Sequence, residues 1–244
     1  MSHPRRGVTS PRPPRGHDLG GFFFSGGIVN VNVSVVVDGF NLCHSVLDMR
    51  RETGNDHRWL DLMSMCQGRL YTIDPRAALG DVFYFSALAT HLQREHADKL
   101  ERQHAYLAAL SASGVHTCLG RFKSRRIEYR SADCYVKLRR HEEKESDVSM
   151  ALKLVQLAGD PTCAALVLVS GDTDLAPALR AARKVAPSEP VHVMFPYRRV
   201  NHELRSLATK ASRLGEPAYA ASQFPARVES RSGGRSVHLS LIHI

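Results

Sequence analysis

The chain lacks any uninterrupted apolar run near the roughly 18 residues that a bilayer-crossing helix needs, so no membrane span is expected. Phe22, Phe23 and Phe24 hint at a signal peptide, but Ser25, Gly26 and Gly27 break the run at once. Closely paired cysteines are missing too. Cys43, Cys66, Cys118, Cys134 and Cys163 form an odd set without short spacing, which argues against a disulfide framework and predicts reduced thiols in a cytoplasmic protein. Acidic residues number 24 against 33 basic ones, a formal charge of +9. That surplus disfavours cationic partners and favours a polyanion such as nucleic acid.

What is present suits one large domain or one domain with tails: 244 residues, 43% hydrophobic and 23% charged. Residues 1–30 are rich in Pro, Arg and Gly and bury too little apolar surface to order themselves, so they read as a basic tail. The expected core domain covers residues 31–215, and residues 216–244 form an extension or tail.

Within that domain, short apolar runs alternate with helical patterns. Strands are expected at 33–38, 81–86, 115–119, 164–169 and 191–195, each an apolar or β-branched run closed by a turn or polar residue. Helices are expected near 42–49, 59–70, 93–111, 147–158, 175–185 and 201–214. In the third, Leu100, His104, Leu107 and Leu110 approximate one stripe; in the fourth, Val148, Ala151, Leu152, Val155 and Ala158 should face the sheet. This rhythm predicts right-handed crossovers and an α/β fold, a mostly parallel sheet sandwiched between helix layers.

Asp38 ends the run Ser34-Val35-Val36-Val37, and Gly39 follows at once, so a buried strand delivers a carboxylate to its carboxyl edge. Ala164 to Val169 repeats the pattern and leads into Ser170-Gly171-Asp172-Thr173-Asp174. Asp147 opens a helix between them. Each acid also has a structural reading as a helix cap, and Asp174 is well placed to cap 175–185. If the two strands are neighbours, however, the acids converge in the crevice where open α/β sheets bind ligands. Oxygen donors without paired His or Cys suit Mg²⁺ or Mn²⁺ better than Zn²⁺, and such an ion could activate water against a phosphodiester. Asn41 could orient Asp38 or cap the helix after it. A small-molecule phosphatase using the same cation logic would need a covalent aspartyl nucleophile, and a resemblance to such phosphatases would require a second Asp two residues after Asp38, where Phe40 stands.

The most basic stretch, 121–140, holds Lys123, Arg125, Arg126, Arg130, Lys137, Arg139 and Arg140, with Lys144 just beyond. It could be a solvated loop. Beside an acidic centre it would instead guide RNA phosphates, with Phe122, Tyr129 or Tyr135 stacking on unpaired bases.

Three segments resemble the NYN family of PIN-like ribonucleases: Val36 to Leu42, Glu143 to Val148, and Val169 to Pro177. The resemblance spans about residues 33–215. It implies a PIN-like, Rossmann-like α/β/α fold and Mg²⁺- or Mn²⁺-dependent endoribonuclease chemistry on single-stranded RNA or structured loops. Metal-binding roles fall on Asp38, Asp147, Asp172 and Asp174, with Asn41 and Ser170 in support. The alternative it leaves open is a weak or inactive RNA-binding or regulatory module. Two departures matter: Lys153 stands where similar proteins often carry an acid, and Cys134 lacks the partner of a Cys-x-x-Cys pair. Relatives of this type often form homodimers, though no exposed apolar stripe here requires one.

Overall fold

The computed structural model describes residues 31–88, 97–130, 135–230 and 236–239, with the side chains of residues 97 and 123–143 outside the description. The expected tail over 1–30 lies outside it. Seven strands form one sheet: β1 (Val31–Asp38), β2 (Ala77–Ala87), β3 (His116–Arg130), β4 (Tyr135–Lys144), β5 (Ala165–Val169), β6 (Val191–Phe195) and β7 (Lys210–Arg213). Their order is β4-β3-β2-β1-β5-β6-β7, parallel throughout except for the β3–β4 hairpin. Among the described residues, seven α-helices accompany them: α1 (Gly39–Thr53), α2 (Leu62–Gln67), α3 (Ala97–Ala112), α4 (Ser146–Ala158), α5 (Ala176–Val185), α6 (His202–Leu207) and α7 (Glu216–Ala220). The expected α/β architecture, with a largely parallel sheet flanked by helices, is the observed one.

The central strands are apolar on both faces because each face meets a helix layer. Val33, Val35 and Val37 of β1 enter one core with Leu42, Met49, Leu62 and Leu110; Val36 enters the other with Met150, Leu154 and Leu179. Along β5, Val167 and Val169 go with the first core and Leu166 and Leu168 with the second, the two-residue period of a strand. Among the described residues, no helix is long and apolar enough to cross a membrane.

Several sequence expectations change in detail. The third strand does not stop near Leu119; it runs on to Arg130 and returns antiparallel as β4, so most of the basic segment is a hairpin. Its strands are held by backbone pairing and carry no long apolar run to betray them. In α4 the buried face is Met150, Leu154 and Leu157, whereas Val148 and Leu152 are 65% and 67% exposed. His104 lies on the exposed side of α3. The helix expected over 201–214 ends at Leu207. Thr209 then exchanges hydrogen bonds with Val191, its N–H donating to the Val191 carbonyl and its hydroxyl accepting from the Val191 N–H, which draws the chain onto the sheet edge as β7.

β4 passes into α4 through Glu145 alone, a residue with φ 83°. At the other end of the chain, the extension folds back on the first core: Tyr219 is fully buried, and Phe224, Val228 and Leu239 join the same cluster. A two-stranded ribbon, β8 (Arg227–Val228) with β9 (Val237–His238), completes it.

The Tyr219 hydroxyl lies 2.9 Å from Ser45 Oγ and accepts from the Tyr197 N–H at 3.1 Å, linking α1, α7 and the loop after β6. Tyr219→Phe leaves the part-buried Tyr197 N–H without its acceptor and should lower stability by about 1 kcal/mol, measured by urea unfolding. An unchanged midpoint would mean that these bonds are replaced in the variant.

Candidate functional site

β1 and β5 are adjacent and parallel, yet β1 leads on through α1 and α2 to β2 on one side and β5 through α5 to β6 on the other. Their carboxyl ends therefore flank the switch point at which such sheets open a crevice. Asp38 ends β1 and caps α1, its Oδ1 accepting from the Asn41 N–H at 2.9 Å. Its Oδ2 accepts from Ser170 Oγ at 2.7 Å, directly across the crevice. Ser170 Oγ in turn accepts from the Asp172 N–H at 3.0 Å, and Asn41 Oδ1 accepts from the Gly171 N–H at 3.0 Å. Two short loops are thus cross-linked by side chains at both of their turns.

Neither glycine leaves room for a side chain. A Cβ at Gly39 would sit 2.4 Å from the Phe85 carbonyl oxygen, and one at Gly171 would sit 1.8 Å from the Arg199 carbonyl oxygen. The second approach brings the loop after β6 onto the Ser170 to Asp172 turn.

The resulting cleft, about 210 Å³, is lined by Asp38, Phe40, Asn41, His44, Asp147, Asp172 and Arg199. Three of the four expected acids therefore share it. Asp174 lies outside the lining, though near enough to Asp147 to raise its pKa. Nor does Asp174 cap the following helix by its side chain; Asp172 holds that turn, accepting from the Asp174 N–H at 3.0 Å. Ser170 is completely buried behind the cleft.

Burial pushes the Asp38 carboxyl upward, and the negative charges of Asp172 and Asp147 add to this against the hydrogen bonds from Asn41 and Ser170. Asp147, in the first turn of α4, is also raised, by partial burial and then by Asp172 and Asp174. The acids are close enough to repel one another. Even so, among the described residues no three Asp, Glu, His or Cys side chains form a group that could hold a metal ion. Both Asp38 oxygens and one Asp172 oxygen already accept hydrogen bonds from the protein. As arranged, the carboxylates are not gathered into a ready-made metal-holding group, although each oxygen keeps a further lone pair.

Phe40, His44 and Arg199 are the cleft residues that the sequence did not single out. Arg199 pairs with Asp48 through Nη2, while its Nε is buried without a hydrogen-bond partner among the described residues. It arrives from a turn whose preceding residue, Arg198, has φ 59°, and no local pattern announces it. Lys153 does not line the cleft: its ammonium lies 4.5 Å from the Phe83 ring centroid and bonds Gln156 at 2.9 Å. Of the expected RNA contacts, Lys144 is exposed, and the side chains of Lys123, Arg125, Arg126, Arg130, Lys137, Arg139 and Arg140 lie outside the described residues.

Comparison with known families matches the NYN domain to residues 63–215, a stretch that contains Asp147, Ser170, Asp172 and Asp174. The chain belongs to the NYN domain family. The match begins after Asp38 and Asn41, so within this NYN chain it is the hydrogen bonds to Ser170 and Gly171 that tie those two residues to the family's segment. No curated protein matches the chain. A crystal structure of a protein of unknown function from Vibrio parahaemolyticus shares the fold at a TM-score of 0.50 and 15% identity, over 80% of this chain and 97% of that one.

Because the folded Asp38 carboxyl is raised, the native state binds more protons than the unfolded chain between the two pKa values. Its contribution to stability therefore falls as pH rises through that window. The melting temperature of Asp38→Asn relative to the parent should climb as pH rises above the ordinary carboxylate range, and level off once the folded carboxyl is ionised. A pH-independent difference would show that the carboxyl ionises as it does in the unfolded chain.

Proposed function

We propose that this protein is an RNA-binding NYN module whose acid cleft hydrolyses RNA slowly or not at all. The observation that carries this reading is that Asp38, Asp147 and Asp172 gather in one cleft without forming a metal-holding group. Three further features support an RNA partner. The formal charge is +9. The hairpin register sets Arg125 opposite Arg140 and Arg126 opposite Arg139, so positive residues meet along two strands, an arrangement that phosphate relieves. Arg199 brings a guanidinium to the lining of the cleft, a group suited to phosphate oxygens.

A second reading, a Mg²⁺- or Mn²⁺-dependent endoribonuclease using Asp38, Asp147, Asp172 and Asp174, is favoured by one observation. Asp172 raises the carboxyls of both Asp38 and Asp147, a crowding of like charges that a cation would relieve.

Labelled single-stranded RNA separates the two. Under the first reading the protein retains RNA in the presence of chelator, and added Mn²⁺ produces no cleavage beyond that of the Asp38→Asn protein. Mn²⁺-dependent cleavage that disappears in both Asp38→Asn and Asp172→Asn would establish the second.

Electrostatic contacts give a further expectation. Replacing Arg125 and Arg126 by Ala should weaken RNA binding and reduce the slope of log affinity against log salt by about 1.4, two single-strand phosphate contacts. An unchanged slope would remove the hairpin from the interface.

A further inference from the structure

A second cavity, about 320 Å³, opens on the other side of Phe40, between α1 and α3. Its volume is at the small end of ligand pockets, about 300–1,000 Å³, which suits one planar ring system better than an extended ligand. Four aromatic side chains line it: Phe40, Trp59, Tyr84 and Tyr106. Three of them, Trp59, Tyr84 and Tyr106, pack ring against ring. The Trp59 and Tyr106 centroids are 6.2 Å apart, and Tyr84 meets Tyr106 edge-on at 6.0 Å. Tyr106 is further fixed by its hydroxyl, which donates to the Leu60 carbonyl at 3.0 Å. Ser86 and Gln103 add polar atoms to an otherwise apolar wall.

Three cationic side chains, Arg58, Lys99 and Arg102, also line the cavity. Asp56 and Asp98 hold the two guanidinium groups in place, and Lys99 is exposed. The combination is an aromatic slot with positive charge around it. Phe40 lines both this cavity and the acid cleft, and its ring meets Phe122 of β3 edge-on at 6.2 Å. A strand that places a phosphate in the acid cleft therefore has an aromatic slot for a base immediately beyond Phe40.

We propose that this cavity binds a nucleobase of the RNA, stacked among Trp59, Tyr106 and Phe40, with the neighbouring phosphate met by Lys99. The proposal rests on the RNA-binding reading above. Stacking on aromatic side chains tolerates every base, so the slot adds affinity and holds the strand in register more than it reads sequence.

Trp59 is the only tryptophan of the chain, which makes its fluorescence a direct reporter. Titration with AMP, GMP, CMP and UMP, and separately with a labelled single-stranded oligoribonucleotide followed by anisotropy, tests the assignment. Nucleotides should quench Trp59. Filling the slot with Leu47→Phe, or independently with Cys43→Phe, should abolish the quenching and weaken oligoribonucleotide binding about tenfold, the order of one lost stacked base. Circular dichroism identifies which of the two variants retains the fold.

If the oligoribonucleotide binds but no nucleotide quenches Trp59, or quenching persists in a folded, filled variant, the slot assignment falls and the RNA-binding reading stands. Quenching by decanoate or benzoate with none by nucleotides assigns the cavity to a carboxylate and overturns the proposal. Nucleotide quenching lost on filling, with no oligoribonucleotide binding, would overturn the proposal together with the RNA-binding reading and assign the cavity to free nucleotides.

Discussion

The hydrogen bond from Ser170 to Asp38 is the constraint on which the site depends. Parallel neighbours such as β1 and β5 pair along their length, but their carboxyl ends diverge into separate loops, and nothing in the backbone ladder holds those loops together. Here the short Oγ to Oδ2 bond and the parallel Asn41 to Gly171 bond close that gap. They also fix the price of the arrangement: a carboxylate is kept in a buried position, with two other acids nearby. A charged group so placed disfavours the native state, and the hydrogen bonds only partly offset this. Strain of this kind is common where a protein keeps residues for chemistry or recognition rather than for stability.

Much of this was legible in the chain. The Val35-Val36-Val37-Asp38-Gly39 and Leu168-Val169-Ser170-Gly171-Asp172 segments announce buried strands that end at acids, because an apolar β-branched run must stop where polar atoms begin. Their adjacency was a condition of that reading, and the strand order of the sheet supplies it. Other features left no local signal. Arg199 reaches the cleft through a turn that packs on Gly171, a contact across 28 residues of sequence numbering that no periodicity encodes. The hairpin was hidden because strands held by edge pairing need no apolar face. Two candidate stripes exist on α4, and sequence spacing alone favoured Val148 and Leu152 over the Met150, Leu154 and Leu157 face that packs.

The extension was expected only as an extension or tail. Tyr219, Phe224, Val228 and Leu239 are spread over several short elements, yet all four join the first core. Family membership and site geometry are complementary here. The family match covers the later acids, whereas Asp38 is placed by the sheet register and by its own hydrogen bonds.

The junction at Glu145 gives the hairpin mechanical leverage over the cleft. One residue separates the last paired position of β4 from the first turn of α4, and Asp147 sits two residues farther on. With so little slack, a force that bends or twists the ribbon is delivered to one wall of the crevice, while the opposite wall stays anchored in the centre of the sheet. The direction of the ribbon and the position of that wall are therefore set together.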